Sequence, residues 1–207
     1  MTDLIPIRRF VDADNSCLFS SIGYLMEPAQ FDNTTSLKVR QTVVNNIKIN
    51  KKYDITILGQ ERDEYIEFIQ QPHSWGGGTE LKILSDIYQV RIIAIDVKTL
   101  KHYTFGEDQD FNKSIYVVHN GVHYDPLVFG FSQDSNTNSD ITIFDANNLF
   151  ILEKFKTLVK KYQKKGYHVE SSDAINLECD ICKKRFSGKQ DATLHAQLED
   201  HWNFNAI

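Results

Sequence analysis

Two periods of apolar and polar residues occur along the chain, and the change between them separates a helical part from a strand-rich part. Apolar residues three or four positions apart predict four helices, over residues 16–26, 36–49, 61–70 and 79–89. Short runs rich in β-branched residues predict buried strands, over residues 91–97 and 114–120, with a further strand beginning at 122. Helices first and an antiparallel sheet later predict an α+β domain over roughly residues 4–130.

Beyond residue 130 the pattern changes. Residues 132–140 are polar and turn-forming and predict a loop, and Asp145 is a candidate N-cap for a long helix from about 146 to 165. We expect residues 131–176 to form this loop and a connecting helix, and residues 177–207 to form a separate small module. Lysine is abundant on the helix, which indicates either a solvated helix face or a phosphate- or membrane-binding patch.

Composition narrows the class of protein. The 207 residues are 41% hydrophobic and 25% charged, which excludes a disordered chain, a collagen-like repeat and a pure coiled coil. The formal net charge of −5 argues against a dedicated nucleic-acid binder, whose domain is usually basic. No apolar run approaches the roughly 20 residues of a membrane span, and the first residues lack the apolar stretch of a signal peptide. We therefore expect a cytoplasmic protein with no membrane span and no nucleic-acid partner.

The three cysteines fall into two groups. An odd number argues against a disulfide framework, and in a reducing compartment cysteines more often serve as nucleophiles or metal ligands. Cys17 stands apart, at the start of the predicted helix 16–26, where backbone N–H groups and the helix dipole favour a thiolate. Cys17 is therefore either a nucleophile that is partly thiolate at neutral pH or an ordinary buried cysteine.

A nucleophilic cysteine needs a base, which is usually a histidine held by a third polar group. His119 and His123 flank the pair Asn120-Gly121, which is a strong signal for a hairpin turn. Side chains two residues apart share one face of a strand, so Asp125 can orient the imidazole of His123. His119 has no carboxylate at that spacing and is the rival base.

The other two cysteines begin a metal-binding pattern. Cys179 and Cys182 are followed by His195 and His201, with two, twelve and five residues between successive members. Two thiolates and two imidazoles at this spacing predict a C2H2 zinc finger. Four protein ligands leave no open coordination position, so we expect a structural zinc ion and no cofactor for catalysis. A single finger without a basic surplus favours contact with protein over contact with DNA.

Three short blocks occur in the order D-A-D-N-S-C-L-F at 12–19, S-W-G-G at 74–77 and N-G-V-H-Y-D at 120–125. Together they resemble the Cys loop, variable loop and His loop of the ovarian tumour (OTU) family of cysteine deubiquitinases, over roughly residues 4–130. The resemblance implies a papain-like cysteine protease fold, with helices packed on a small, mainly antiparallel sheet. It also implies a thiol isopeptidase that hydrolyses the bond at the ubiquitin C-terminus. A catalytically silent ubiquitin-binding adaptor is the alternative, and intact Cys17, His123 and Asp125 favour the enzyme.

The resemblance implies roles for individual residues. Cys17 is the nucleophile and His123 the general base. Asp14 either belongs to the active site or orders the Cys loop, which leaves Asp125 to orient His123; a plain Asx turn is the further alternative. The residues expected to line the channel for the ubiquitin tail are Val122, Trp75, Gly76, Gly77 and Gly78. Glycine admits close approach of an extended tail, whereas Trp75 can instead be an apolar plug beneath the loop.

The order of OTU domain, long helix and C2H2 finger resembles the YOD-type OTU subfamily. That resemblance implies a second ubiquitin-binding site near the start of the long helix, here about Ile143–Asn148. It also implies an N-terminal UBX-like domain that binds a hexameric AAA ATPase in protein quality control, ER-associated degradation and the unfolded protein response. This sequence begins only sixteen residues before Cys17, so we expect either a shortened chain or a member without that domain.

Overall fold

The computed structural model describes residues 4–167 and 176–187, together with residues 192, 195, 199, 201 and 204–206. Its helices are α1 (Cys17–Met26), α2 (Thr35–Ile49), α3 (Ile55–Leu58), α4 (Arg62–Ile69), α5 (Gly78–Tyr88) and α6 (Leu149–Lys164). The strands of the larger sheet are β1 (Ile5–Arg8), β2 (Arg91–Asp96), β3 (His102–Phe105), β4 (Lys113–His119), β5 (Tyr124–Gly130) and β6 (Phe144–Asp145). A smaller sheet contains β7 (Asn176–Cys179), β8 (Arg185–Ser187) and β9 (Phe204–Ala206).

The larger sheet is mixed. Its strand order is β1-β5-β4-β2-β3, with β6 paired to the start of β4, and among the described strands only β2 and β4 run parallel. The sequence pattern did not predict β3, which forms an antiparallel pair with β2 and so lets β4 return beside β2 in parallel. The predicted α+β class is confirmed, and the mixed sheet is mainly antiparallel, as expected. β4 and β5 are antiparallel neighbours, and their connection carries the predicted base.

Alternate residues of the sheet enter two different cores. Ile92 and Ala94 of β2 pack with the apolar residues of α1, α2, α4 and α5, whereas Ile93 and Ile95 point into a second cluster on the other face. This period of two is what a strand buried on both faces requires. The sheet is therefore a middle layer, and α1 lies against it with every residue from Cys17 to Leu25 buried.

The helix α6 covers the second face of the sheet. Its residues Phe155 and Val159 are fully buried in the second core, so α6 is part of the packed domain rather than a connector beyond residue 130. The helix begins later than expected, and its N-cap is Asn148, whose side chain accepts a hydrogen bond from Phe150 N (3.2 Å). The predicted cap Asp145 lies in β6 instead.

The polar segment 132–140 is tied to the domain by a buried ion pair. Both terminal oxygens of Asp140 accept hydrogen bonds from Arg9, from Nε and Nη2, each at 2.7 Å. Arg9 also donates to the carbonyl groups of Gln133 and Ser135, and Tyr24 of α1 donates to Asp140 (2.5 Å). Because a buried charge needs full pairing, these contacts fix the predicted loop against the end of β1.

The last part of the chain forms its own small cluster. β7 lies between β8 and β9, and a core of Leu177, Cys179, Phe186 and Ala192 packs beneath this sheet. Leu194, the apolar residue directly before His195 in the finger pattern, lies outside the described residues. Within the described residues, every helix is too short or too polar to cross a bilayer.

Candidate active site

Cys17 is the first residue of α1, as predicted. The N-cap residue Ser16 does not cap the helix with its side chain; its hydroxyl donates to the carbonyl oxygen of Pro72 (3.0 Å) and accepts from Arg40 Nη2 (2.8 Å). The first-turn N–H groups are therefore not consumed by a cap, and they favour negative charge near the thiol. Cys17 Sγ accepts a hydrogen bond from Tyr124 N (3.4 Å), which connects the start of α1 to the start of β5.

The Cys loop before α1 has a specific backbone conformation. Asn15 has a φ of 64°, in the left-handed region that asparagine tolerates better than most residues. Its side-chain oxygen accepts a hydrogen bond from the indole N–H of Trp75, and Asp14 Oδ1 accepts one from Ser16 N (3.0 Å). Asp14 therefore makes an Asx-type contact within the loop, which fits both a plain Asx turn and a role in ordering the Cys loop.

Arg40 of α2 joins the Cys loop to the loop at 72–78, and sequence reasoning missed it. Its guanidinium donates to Ser16 Oγ (2.8 Å), Ser74 O (2.8 Å) and Ile69 O (3.0 Å), and stacks over the ring of Phe19 at 4.1 Å. Arg40 is 2% exposed. Burial lowers the pKa of Arg40 to about 10, so the side chain remains charged at neutral pH. The sequence did contain a signal that Arg40 is buried, because Arg40 lies on the same helical face as Val43, Val44 and Ile47.

His123 and Asp125 lie together at the start of β5. The side-chain oxygen of Asn120 accepts hydrogen bonds from Val122 N (3.2 Å) and His123 N (2.8 Å), so the connection is a four-residue loop rather than a two-residue turn. His123 Nδ1 is 3.5 Å from Asp125 Oδ2, and Asp125 is 1% exposed. Burial lowers the pKa of His123, but attraction to Asp125 outweighs it and the net shift is upward. The carboxylate near the predicted base is thus Asp125.

The rival base His119 occupies a different position. It ends β4, and its ring stacks on Tyr124 with 4.3 Å between centroids. Both histidines border the same cavity. The ring that lies within ion-pair distance of Asp125 is that of His123, with 3.5 Å from Nδ1 to Oδ2.

The thiol of Cys17 is not the resting thiolate that the helix start predicts. Burial raises the pKa of Cys17 to about 11. The hydrogen bonds from Tyr124 N and the Leu18 backbone act in the other direction, but they do not outweigh the loss of water. The expectation of partial thiolate at neutral pH is therefore wrong for this state, and the nucleophile needs a base.

A cavity opens in front of the thiol. Its walls are formed by Cys17, His123, Val122, Trp75, Gly76 and Gly77, together with Ala13, Asn15, Leu18, His119, Tyr124, Leu177 and Asn205. The predicted tail-contacting residues therefore border one channel, except Gly78, which begins α5. Leu177 and Asn205 were not predicted, because nothing in the sequence links them to residues so distant. Trp75 and Val122 also pack against the cluster around Leu177, so the last part of the chain contributes to the channel.

The glycines of the loop serve different purposes. A Cβ atom on Gly76 would lie 3.1 Å from two ring atoms of Phe19 and 3.3 Å from Leu18 Cδ1, whereas one on Gly77 would meet nothing within 4 Å. Gly76 is therefore required by close packing of the loop on α1. Gly77 precedes α5 and donates its N–H to the buried carboxylate of Glu80 (2.7 Å).

The four predicted metal ligands come together. One ligand atom from each of Cys179, Cys182, His195 and His201 lies within 4.8 Å of the others, and Cys182 Sγ is 3.4 Å from His195 Nε2. A tetrahedral zinc ion with bonds of about 2.0–2.3 Å places its ligands roughly 3.3–3.8 Å apart. The Cys182–His195 distance lies in that range, and two thiolates with two imidazoles are donors of the kind that zinc prefers. His201 Nδ1 is buried and has no hydrogen-bond partner in the described residues.

The residues predicted for a second ubiquitin site have different structural roles. Ile143 is partly buried against the first core, and Asn148 caps α6. The exposed apolar side chains beside them are Leu149 and Phe150, at 74% and 61% exposure.

A buried cysteine at a helix start, a histidine paired with a carboxylate and a shared channel define the class of cysteine proteases. Residues 12–134, more than half of the chain, match the family described as OTU-like cysteine protease, and the chain belongs to that family. It is 34% identical over 198 residues to ubiquitin thioesterase OTU1 of Dictyostelium discoideum, covering 95% of this chain and 60% of that protein. It is 31% identical to ovarian tumor domain-containing deubiquitinating enzyme 2 of Arabidopsis thaliana, covering 97% of both chains.

The fold agrees with this membership. A solved OTU domain in complex with ubiquitin superposes with a TM-score of 0.66 at 29% identity, covering 78% of this chain and 89% of that one.

Proposed function

We propose that this protein is a thiol-dependent deubiquitinase that hydrolyses the isopeptide bond between the ubiquitin C-terminus and a lysine. The observation that carries the proposal is the shared channel, which Cys17 and His123 border while Asp125 pairs with His123 from behind. Relatives named ubiquitin thioesterase, and the related domain solved with ubiquitin, support ubiquitin as the substrate. A silent adaptor would not need this pairing.

The reaction begins with proton transfer. Because burial raises the pKa of Cys17 to about 11, the resting cysteine is a thiol, and the upward shift in the pKa of His123 makes its neutral imidazole a stronger base for the thiol proton. His123 takes the thiol proton as Sγ attacks the carbonyl carbon of the last ubiquitin residue. Asp125 stabilises the imidazolium that forms.

The negative charge then moves to the carbonyl oxygen. The first-turn N–H groups of α1, which the Ser16 side chain does not cap, are donors for this oxyanion. The C–N bond breaks as His123 gives its proton to the leaving lysine amine, which leaves a thioester on Cys17. Water, deprotonated by His123, hydrolyses the thioester to the ubiquitin carboxylate and the free thiol. Asp14 orders the loop that presents these donors.

The channel walls suit a thin, extended tail. Val122 and Trp75 provide apolar surface on either side, and Gly76 and Gly77 bring backbone close to the tail. Leu149 and Phe150, with Ile143 and Asn148, are proposed as the second ubiquitin surface beside α6.

A structural zinc ion is proposed at Cys179, Cys182, His195 and His201. When bound, zinc supplies folding free energy to this small cluster, and catalysis takes place at Cys17 without it. The support is the closeness of the four ligand atoms.

The cellular role is proposed from the resemblance to the YOD-type subfamily. We propose action on ubiquitin conjugates in cytoplasmic protein quality control and ER-associated degradation, in contact with a hexameric AAA ATPase. The chain spans 60% of the Dictyostelium relative's length, and the roles of that whole protein come to this chain as proposals.

Incubation with di-ubiquitin of each linkage tests the activity. We expect the wild-type chain to cleave at least one linkage and Cys17→Ser to cleave none while still binding ubiquitin. Unchanged di-ubiquitin in every wild-type reaction would favour the adaptor.

A further inference from the structure

A cluster behind His123 joins three distant segments of the chain. Tyr167, directly after α6, donates its hydroxyl to Asp125 Oδ2 (2.8 Å), and Arg8 Nε of β1 lies 3.8 Å from the same oxygen. The Arg8 guanidinium is stacked on the rings of Tyr167 (3.8 Å), Phe10 (4.1 Å) and Tyr162 (4.6 Å). The sequence pattern predicted no role for Arg8 or Tyr167.

The two oxygens of Asp125 are held by different partners. Oδ1 accepts a hydrogen bond from Val11 N (3.2 Å), and Oδ2 accepts the one from Tyr167. The 3.5 Å separation of Oδ2 from His123 Nδ1 is longer than a normal N–H···O bond, so His123 does not itself fix the carboxylate. Without the Tyr167 hydroxyl, the hydrogen bond from Val11 N would hold Oδ1 alone. The Tyr167 hydroxyl therefore fixes Oδ2, the oxygen that lies 3.5 Å from His123 Nδ1.

We propose that Tyr167 is a positioning residue for the reaction: its hydroxyl holds Asp125 Oδ2 toward His123 and so orients the base. The inference rests on the thiol mechanism proposed above. It extends the active site beyond residues 12–134, because Tyr167 lies outside the matched family segment.

Electrostatics around the cluster agree with this role. Burial, with Asp125 acting in the same direction, raises the pKa of Tyr167, so the hydroxyl keeps its proton and remains a donor. The pKa of His123 is lowered by burial and by the charge of Arg8, and raised by Asp125 and the Asp12 backbone. Cys17 of α1 borders the same cavity as His123. Of these contributions, the attraction between Asp125 and His123 depends on Tyr167. Loss of the Tyr167 hydroxyl should weaken that attraction and so lower the pKa of His123.

Tyr167→Phe tests the proposal because it removes one hydroxyl and keeps the ring on Arg8. Tyr162→Phe is the matched control, since Tyr162 stacks on the same guanidinium and, in the described residues, its hydroxyl is not a partner of Asp125. The measurements are kcat and KM on a fluorogenic ubiquitin substrate, and the imidazole pKa of His123 by NMR. The resonance is assigned by its absence from His123→Ala, and the melting temperature checks the fold.

We expect Tyr167→Phe to lose about tenfold in kcat with KM within about twofold, since one of two fixed partners of the orienting carboxylate is lost. The His123 pKa should fall, while Tyr162→Phe matches wild type in both measurements. The proposal is overturned if folded Tyr167→Phe has the same His123 pKa as the wild type, whatever the kcat of the variant. It is also overturned if the His123 pKa falls but kcat is unchanged. Failure of the proposed function looks different: the wild-type chain itself would not cleave the substrate, and the NMR comparison would still decide the Tyr167 contact.

Discussion

Replacing Arg40 by methionine should destabilise the protein through the loops around the thiol. The substitution keeps an unbranched side chain of similar length over Phe19 but removes every donor. Ser16 Oγ and the carbonyl oxygens of Ile69, Pro72 and Ser74 then lose their buried partner. Because Ser16 directly precedes Cys17 and Ser74 precedes Trp75, the same change loosens both walls of the channel.

The magnitude follows from the number and burial of these contacts. A buried acceptor left without its donor costs about 1–3 kcal/mol, and waters can replace some of the four. With some of the four acceptors rehydrated, we expect a total loss of about 3–5 kcal/mol in the free energy of unfolding. For a chain of this length that corresponds to a drop of roughly 6–20 °C in melting temperature.

Urea unfolding measures this loss, with Lys38→Met as the matched control. Lys38 lies on the same helix with its side chain 69% exposed, and its substitution should change stability by less than about 0.5 kcal/mol. Hydrolysis of a fluorogenic ubiquitin substrate is measured at a temperature where both variants are folded, and we expect Arg40→Met alone to lose activity. A loss below about 1 kcal/mol for Arg40→Met would refute the reasoning, because it would mean that the four acceptors do not depend on Arg40.

Three further outcomes are expected. Alkylation of Cys17 by iodoacetamide should accelerate about tenfold per pH unit from pH 7 to 10, because the thiolate reacts and the pKa is raised to about 11; a plateau near pH 7 would contradict the buried thiol. Gly76→Ala should slow substrate hydrolysis and destabilise the fold by roughly 1–3 kcal/mol in urea unfolding, because the added Cβ would lie 3.1 Å from the Phe19 ring. Activity and stability equal to those of the wild type would show that the loop can shift. Zinc chelation should slow labelling of Cys17 by a ubiquitin electrophile by about tenfold, since Leu177 borders the channel; unchanged labelling would support the separate module that the sequence suggested.

The helices and strands near the site were predictable because their signals are local. The apolar periods located α1, α2, α4 and α5 and both strands that flank the His loop, each beginning within two residues of its expected position. Cys17 was singled out by its place at a helix start, and His123 with Asp125 by period two along the strand predicted to begin at 122. These signals need no knowledge of the rest of the chain.

The contacts that support the site were not predictable in the same way. Arg9 with Asp140 and Tyr167 with Asp125 join segments that are distant in sequence, and no periodic pattern relates them. The packing of α6 could not be predicted either, because Phe155 and Val159 indicate an apolar face but not what it packs against. Burial of the thiol depends on the whole fold, which is why the helix-start argument alone gave the wrong protonation state.

Reaction with ubiquitin carrying a thiol-reactive electrophile at its C-terminus tests the central claim most directly. Intact-protein mass spectrometry, followed by peptide mapping, should find one ubiquitin adduct per chain on Cys17, with no adduct on Cys179 or Cys182. The Cys17→Ala protein should give none. Absence of an adduct on the folded wild-type chain, or an equal adduct on Cys17→Ala, would contradict a ubiquitin-directed thiol mechanism at Cys17.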